Sequence, residues 1–148
     1  MRNLDKLLFA ILAAVSIITT SCGDDNKNKD PQPVVVQPTK KELLIKEWKT
    51  KALIYNGVDI IDDPLSIGYK NGYYIFTDST YVAFHVSFSH SGPWEFQSNE
   101  SILTLDPDTP SEVNWTILDL TANSLKLKRG AFVSGNPTNI EWHLIPKQ

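Results

Sequence analysis

From Trp48 onward no segment carries the spacing or the length of an amphipathic helix. Short runs of aromatic and β-branched residues alternate instead with turn-forming residues at close intervals. Strands are predicted over residues 48–55, 73–77, 80–88, 94–97, 102–105, 113–118, 125–129 and 140–145. Between them, Asn56-Gly57, Asp78-Ser79, Ser89-His90-Ser91-Gly92, Ser98-Asn99-Glu100, Asp106-Pro107-Asp108, Ala122-Asn123 and Gly135-Asn136-Pro137 supply the residue types that favour turns. Ahead of the first strand, Thr39 and Glu42 flank the start of Leu43-Leu44-Ile45 at the spacing of a capping box, which predicts a short helical turn.

Period-two alternation assigns faces. Val82, Phe84, Val86 and Phe88 share one side of their strand, and Tyr81, Ala83, His85 and Ser87 share the other. Taking the first set as the apolar face directs His85 away from the core. In the same way Ile140, Trp142 and Leu144 oppose Glu141 and His143, and Leu125 and Leu127 oppose Lys126 and Lys128. Strands that are each half apolar and joined by short turns close most economically into a barrel, which leaves no exposed sheet edge. The expected fold is all-β: a small antiparallel up-and-down β-barrel of about eight strands with a short N-terminal helical turn. A two-sheet sandwich is the other architecture this pattern allows.

The N-terminus carries a different signal. Arg2 and Lys6 precede an apolar run over residues 7–18, and then Ser21, Cys22 and Gly23 lead abruptly into Asp24-Asp25. The run is shorter than the ~20 apolar residues that span a bilayer, and the polar sequence behind it argues against a membrane-spanning anchor. This segment resembles the signal peptide of bacterial lipoproteins, in which a small residue precedes the cysteine that is lipidated. Asp24-Asp25 resembles the export signal by which Bacteroidetes-type lipoproteins reach the cell surface. The resemblance implies acyl chains, palmitate among them, on Cys22, which is the sole cysteine of the 148 residues. No disulfide within the chain is then available. Residues 1–21 read as the signal peptide, 22–39 as a Pro-punctuated tether starting at Cys22, and 40–148 as one barrel domain. The expected location is the bacterial outer membrane, lipid-anchored, on its periplasmic or its outer face.

Charge and motifs exclude several functions. The formal net charge of −3 and the absence of a dominant Lys/Arg cluster argue against nucleic acid as a partner; Lys126-Lys128-Arg129 is the only local basic group. The three histidines, His85, His90 and His143, show no paired spacing that would converge on a metal, so no metal site is expected. Asp106-Pro107-Asp108-Thr109-Pro110-Ser111-Glu112 and Asp62-Asp63 lack the staggered ligands of a calcium loop and read as solvated loop carboxylates. With Cys22 committed to lipid and no Gly-x-Ser-x-Gly elbow, no nucleophile is in view. No enzyme activity and no cofactor are expected. The longest connection, residues 61–73, mixes apolar and flexible residues, and as a long loop at a barrel mouth it is the candidate for function. Leu65, Ile67, Tyr69 and Tyr73 are the candidate ligand-binding or partner-contact residues.

Several motifs in order carry a family resemblance: Trp48 after the helical turn, Tyr74-Ile75-Phe76-Thr77-Asp78-Ser79-Thr80-Tyr81, Gly92-Pro93-Trp94, Leu103-Thr104-Leu105, and Leu120-Thr121 leading to Leu125-Lys126-Leu127. Over residues 43–145 the chain resembles the lipocalin-like domain of Bacteroidetes-type envelope lipoproteins. That resemblance implies a small barrel with Trp48 packed across its floor. Two functions follow as expectations: a barrel that binds a small apolar or amphipathic ligand, or a filled barrel whose surface contacts an envelope protein or glycan. Four Trp, five Tyr and six Phe favour filling. An open interior of ~300 Å³ or more would favour a ligand.

Overall fold

The computed structural model describes residues 36–148 apart from Ser87 and Ser134; Cys22, the signal peptide and the tether up to residue 35 lie outside the described residues. Helix α1 (Lys40–Leu44) leads into nine strands: β1 (Glu47–Tyr55), β2 (Val58–Asp59), β3 (Tyr73–Phe76), β4 (Thr80–His85), β5 (Phe88–Gln97), β6 (Ile102–Leu105), β7 (Val113–Leu120), β8 (Leu125–Val133) and β9 (Asn136–Pro146). Each strand from β3 to β9 pairs antiparallel with the next. β1 pairs with both β3 and β9, so eight strands close into an up-and-down barrel while the two-residue β2 folds back on β1. Closure removes the sheet edges that an open meander would expose. Asn56 and Gly57 turn β1 into β2 with positive φ angles of 47° and 85°, the backbone that Asn-Gly hairpins supply at little cost.

One end of the barrel is plugged. The capping box forms as expected: the Glu42 amide donates to Thr39 Oγ1 at 3.2 Å and the Thr39 amide donates to Glu42 Oε2 at 2.7 Å. The helix it starts lays Leu44 over Trp48, both wholly buried, and Trp48 Nε1–H donates to the Leu44 carbonyl at 2.9 Å. Lys40 Nζ donates to the Glu100 carbonyl in the β5–β6 turn, and Lys46 Nζ to the Ala122 carbonyl between β7 and β8. Leu103, Leu125 and Leu144 complete the packed base. Each large side chain buried there contributes roughly 1.5–3 kcal/mol relative to exposure.

Three local expectations are corrected. On β4 the buried side chains are Tyr81 and Ala83, so the inward face is Tyr81, Ala83 and His85, and Phe84 points outward to stack on Tyr73 at 4.5 Å. Alternation sets parity but not side; the side is set by β3, whose Phe76 and Tyr74 lie opposite Tyr81 and Ala83 and are buried with them. Second, Ser89-His90-Ser91-Gly92 is strand, not turn, because β5 begins at Phe88, and Asn136 and Pro137 likewise belong to β9. Third, the loop after β2 carries a helical turn. Asp63 accepts from the Leu65 amide at 2.8 Å, Pro64 presets the first φ, and a 3-10 turn (Pro64–Ser66) runs into α2 (Ile67–Lys70).

Candidate functional site

Above the packed base the barrel is hollow. The cavity measures about 240 Å³. That is a little below the ~300 Å³ at which ligand pockets usually begin, and larger than the ~150 Å³ engineered cavity that takes up benzene. The aromatic residues that favour a filled interior stand around this space as walls. Trp142 on β9 has Tyr74 at 5.0 Å and 87° and Tyr69 at 5.7 Å and 82°, both edge-on, with Trp115 5.7 Å away. Edge-to-face contacts fix these rings against one another.

Polar groups interrupt the apolar wall in two places. His85, at the upper end of β4, shares a 3.3 Å hydrogen bond between its Nε2 and the Tyr74 hydroxyl, while its Nδ1 is buried without a partner. Burial pushes the imidazole pKa down and the Tyr74 phenol pKa well up, so both are neutral near pH 7. Gly72 makes room for this ring: a Cβ there would lie 3.0 Å from His85 Nδ1. Beside them Arg129 follows Leu125 and Leu127 on the inward face of β8. Its guanidinium carbon is 4.7 Å from the Trp115 ring centre, and its Nε is buried with no hydrogen-bond partner. A buried donor left unmade costs ~1–3 kcal/mol.

The second polar group joins Asp106, just after β6, to β4 and β5. Asp106 is buried and accepts from the Tyr81 hydroxyl at 2.7 Å, with His90 Nε2 also 2.7 Å from the same oxygen. The Asp106 hydrogen bond and burial raise the Tyr81 pKa well above its ordinary value, burial being the larger cause. This corrects two expectations: Asp106 is not a solvated loop carboxylate, and His90 is not in a turn. Gly92 is what lets the carboxylate in, since a Cβ there would fall 1.7 Å from Asp106 Oδ1.

The four residues singled out in the 61–73 segment separate. Tyr69 lines the cavity. Leu65 and Ile67 are exposed and, with Val86 and Phe88, edge a second hollow of about 270 Å³ that shares Tyr69, His85 and Phe88 with the first. Tyr73 lies on the outer wall between Phe84 and Lys147 Nζ, the latter 3.8 Å above its ring. In the sequence Arg129 and Trp142 carry no candidate role, and His85 and Asp106 read as a lone histidine and a solvated carboxylate. For Arg129 the signal was present, because it continues the inward parity of Leu125 and Leu127. Among the described residues no group of three or more His, Cys, Asp or Glu side chains is placed to hold a metal ion.

No family model matches this chain, and no curated protein does. Among solved structures, that of a lipocalin-like protein from Bacteroides uniformis ATCC 8492 is similar. It is 12% identical, covers 71% of this chain and 99% of its own, and superposes with a TM-score of 0.49. The barrel assignment itself stands on the strand order and on the β1–β9 pairing that closes it.

Proposed function

We propose that this protein is a lipid-anchored envelope lipoprotein of the outer membrane, on its periplasmic or its outer face, whose barrel binds a small apolar or amphipathic molecule through its open end. The observation that carries the binding is the aromatic-walled cavity, plugged at one end by α1 and Trp48 and reached past Tyr69 and Phe88 at the other. At about 240 Å³ it suits a ligand of about ten non-hydrogen atoms, scaled from the benzene-sized case. The anchoring rests on the cationic head, the short apolar run and Cys22, with membrane affinity of ~0.8 kcal/mol per buried acyl methylene. Among the described residues no helix is long and apolar enough to cross a membrane. Among the described residues the polar groups around the cavity are engaged in the Tyr74–His85 and Asp106–Tyr81–His90 hydrogen bonds or lie open at Arg129, and the protein is read as binding without chemistry.

Native mass spectrometry of the protein purified from its own envelope extract tests the binding. A retained small molecule supports it; a bare chain that also fails to take up small aromatic probes refutes it. Replacing Cys22 with Ser tests the anchor, and retention of that variant in the membrane fraction counts against it. A module that contacts an envelope protein or glycan is the second reading, favoured by the exposed apolar rim of Leu65, Ile67, Val86 and Phe88. A retained macromolecule in the same experiment selects it.

A further inference from the structure

We infer that the cavity selects a small planar apolar molecule bearing one anionic group, and that Arg129 reads the anion. The inference deepens the interior-binding reading and rests on it. Arg129 remains charged at any accessible pH, so its charge is offset by water or by a counter-charge and never by losing a proton. Its neighbours on β8 show the contrast. Lys128 faces outward and meets Glu141 at 3.3 Å, whereas among the described residues no ion pair includes Arg129 and no Asp or Glu lines the cavity with it. Asp106, the buried carboxylate that follows β6, is engaged by Tyr81 and His90.

The geometry also says how an anion would approach. The Arg129 guanidinium carbon lies over the Trp115 ring, 4.7 Å from its centre, a cation–π contact, and guanidinium groups in such contacts commonly present a face to the ring. The N–H donors radiate in the guanidinium plane, and the Nε donor is buried and unmet. A carboxylate or sulfate arriving edge-on would be bound by two parallel hydrogen bonds. The neighbouring polar groups, the Tyr74 hydroxyl and His85, carry no charge of their own to replace it. The remainder of the wall, Trp142, Trp115, Tyr69 and Tyr74, offers ring faces and edges to a flat apolar body.

The test compares two probes of the same shape and of a size the cavity holds, benzoate and benzamide, titrated into the full chain and followed by calorimetry and by quenching of tryptophan fluorescence. The acid is expected to bind at least tenfold more tightly than the amide. Arg129→Met should abolish that preference by weakening the acid at least tenfold. Equal affinity of the wild-type chain for acid and amide would overturn the anion selection and leave interior binding standing. Failure of both probes to bind would overturn the inference and count against the reading beneath it. Because the acid–amide ratio is measured first on the unaltered chain, the outcome does not depend on the variant folding. Arg129→Lys, which keeps the charge and loses the planar fork, should retain only part of the preference.

Discussion

At the closed end of the barrel Leu44, Trp48, Leu103 and Leu125 have no exposed surface, whereas at the open end Leu65, Val86, Phe88 and Phe132 are all more than half exposed. The closed end also ties α1 and the segment behind it to two strand turns through Lys40 and Lys46. The open end instead keeps a hollow whose lining includes an unpaired arginine Nε and an unpaired histidine nitrogen. Packing density and polar satisfaction are therefore spent at one end, and the other tolerates what a stability optimum would remove. Strain and unmet donors that persist in a folded protein mark where binding is expected.

The largest test of that division is truncation of the plug. Trp48→Ala should cost ~3–5 kcal/mol in chemical denaturation, because it empties a fully enclosed site and strands the Leu44 carbonyl. Phe88→Ala at the mouth should stay within ~0.5 kcal/mol, as surface substitutions do. Equal losses would mean that the two ends are not differently built.

Next in size is Gly92→Ala. Its Cβ would meet Asp106 Oδ1, and the carboxylate would leave Tyr81 and His90 or displace the strand, at ~1–3 kcal/mol. In a chain already carrying Asp106→Ala the same change should cost almost nothing. An undiminished cost in that background would show that Gly92 serves the backbone and not the carboxylate. Smaller again is Thr39→Ala, expected to cost ~1 kcal/mol by removing the cap of α1. Faster amide exchange over α1, with the mouth unchanged, is the accompanying sign.

Much of the barrel was legible because its information is local. Asn56-Gly57 and the Asn of Ser98-Asn99-Glu100 announce turns through residues that accept positive φ, and all five residues adopt it. The capping box is likewise a four-residue message. The side of β4 was not legible, since both parities carry apolar residues and the choice is made by Phe76 and Tyr74 of β3; the Tyr81 hydroxyl then donates to Asp106, twenty-five positions away. A Pro-rich acidic segment reads as solvated until closure carries it over His90. Arg129 was hidden differently: its parity was visible, but its company, Lys126 and Lys128, made three basic residues look like one exposed group.

The smallest effect is a pH dependence confined to the open end. Burial holds the His85 pKa below its ordinary value near 6.5, so folding favours the neutral ring. Below that ordinary value the unfolded chain binds the proton more readily than the folded one does, so stability rises with pH in this window. The contribution is complete above about pH 6.5 and is lost as pH falls through the folded value. The carboxylates Glu42 and Glu141, whose pKa values hydrogen bonds hold down, lose their contributions at lower pH and do so whether or not His85 is present. The difference between the wild-type chain and His85→Gln, measured by denaturation from pH 7.5 to 5, isolates the imidazole. The wild type should lose more stability on acidification, and amides near Gly72 and Tyr74 should show lower protection factors, corrected for intrinsic exchange, at pH 5 than at pH 7.5 while those around Trp48 do not. Parallel curves for the two chains would place His85 in water rather than in the wall, and the polar side of the comparison would then rest on Arg129 alone.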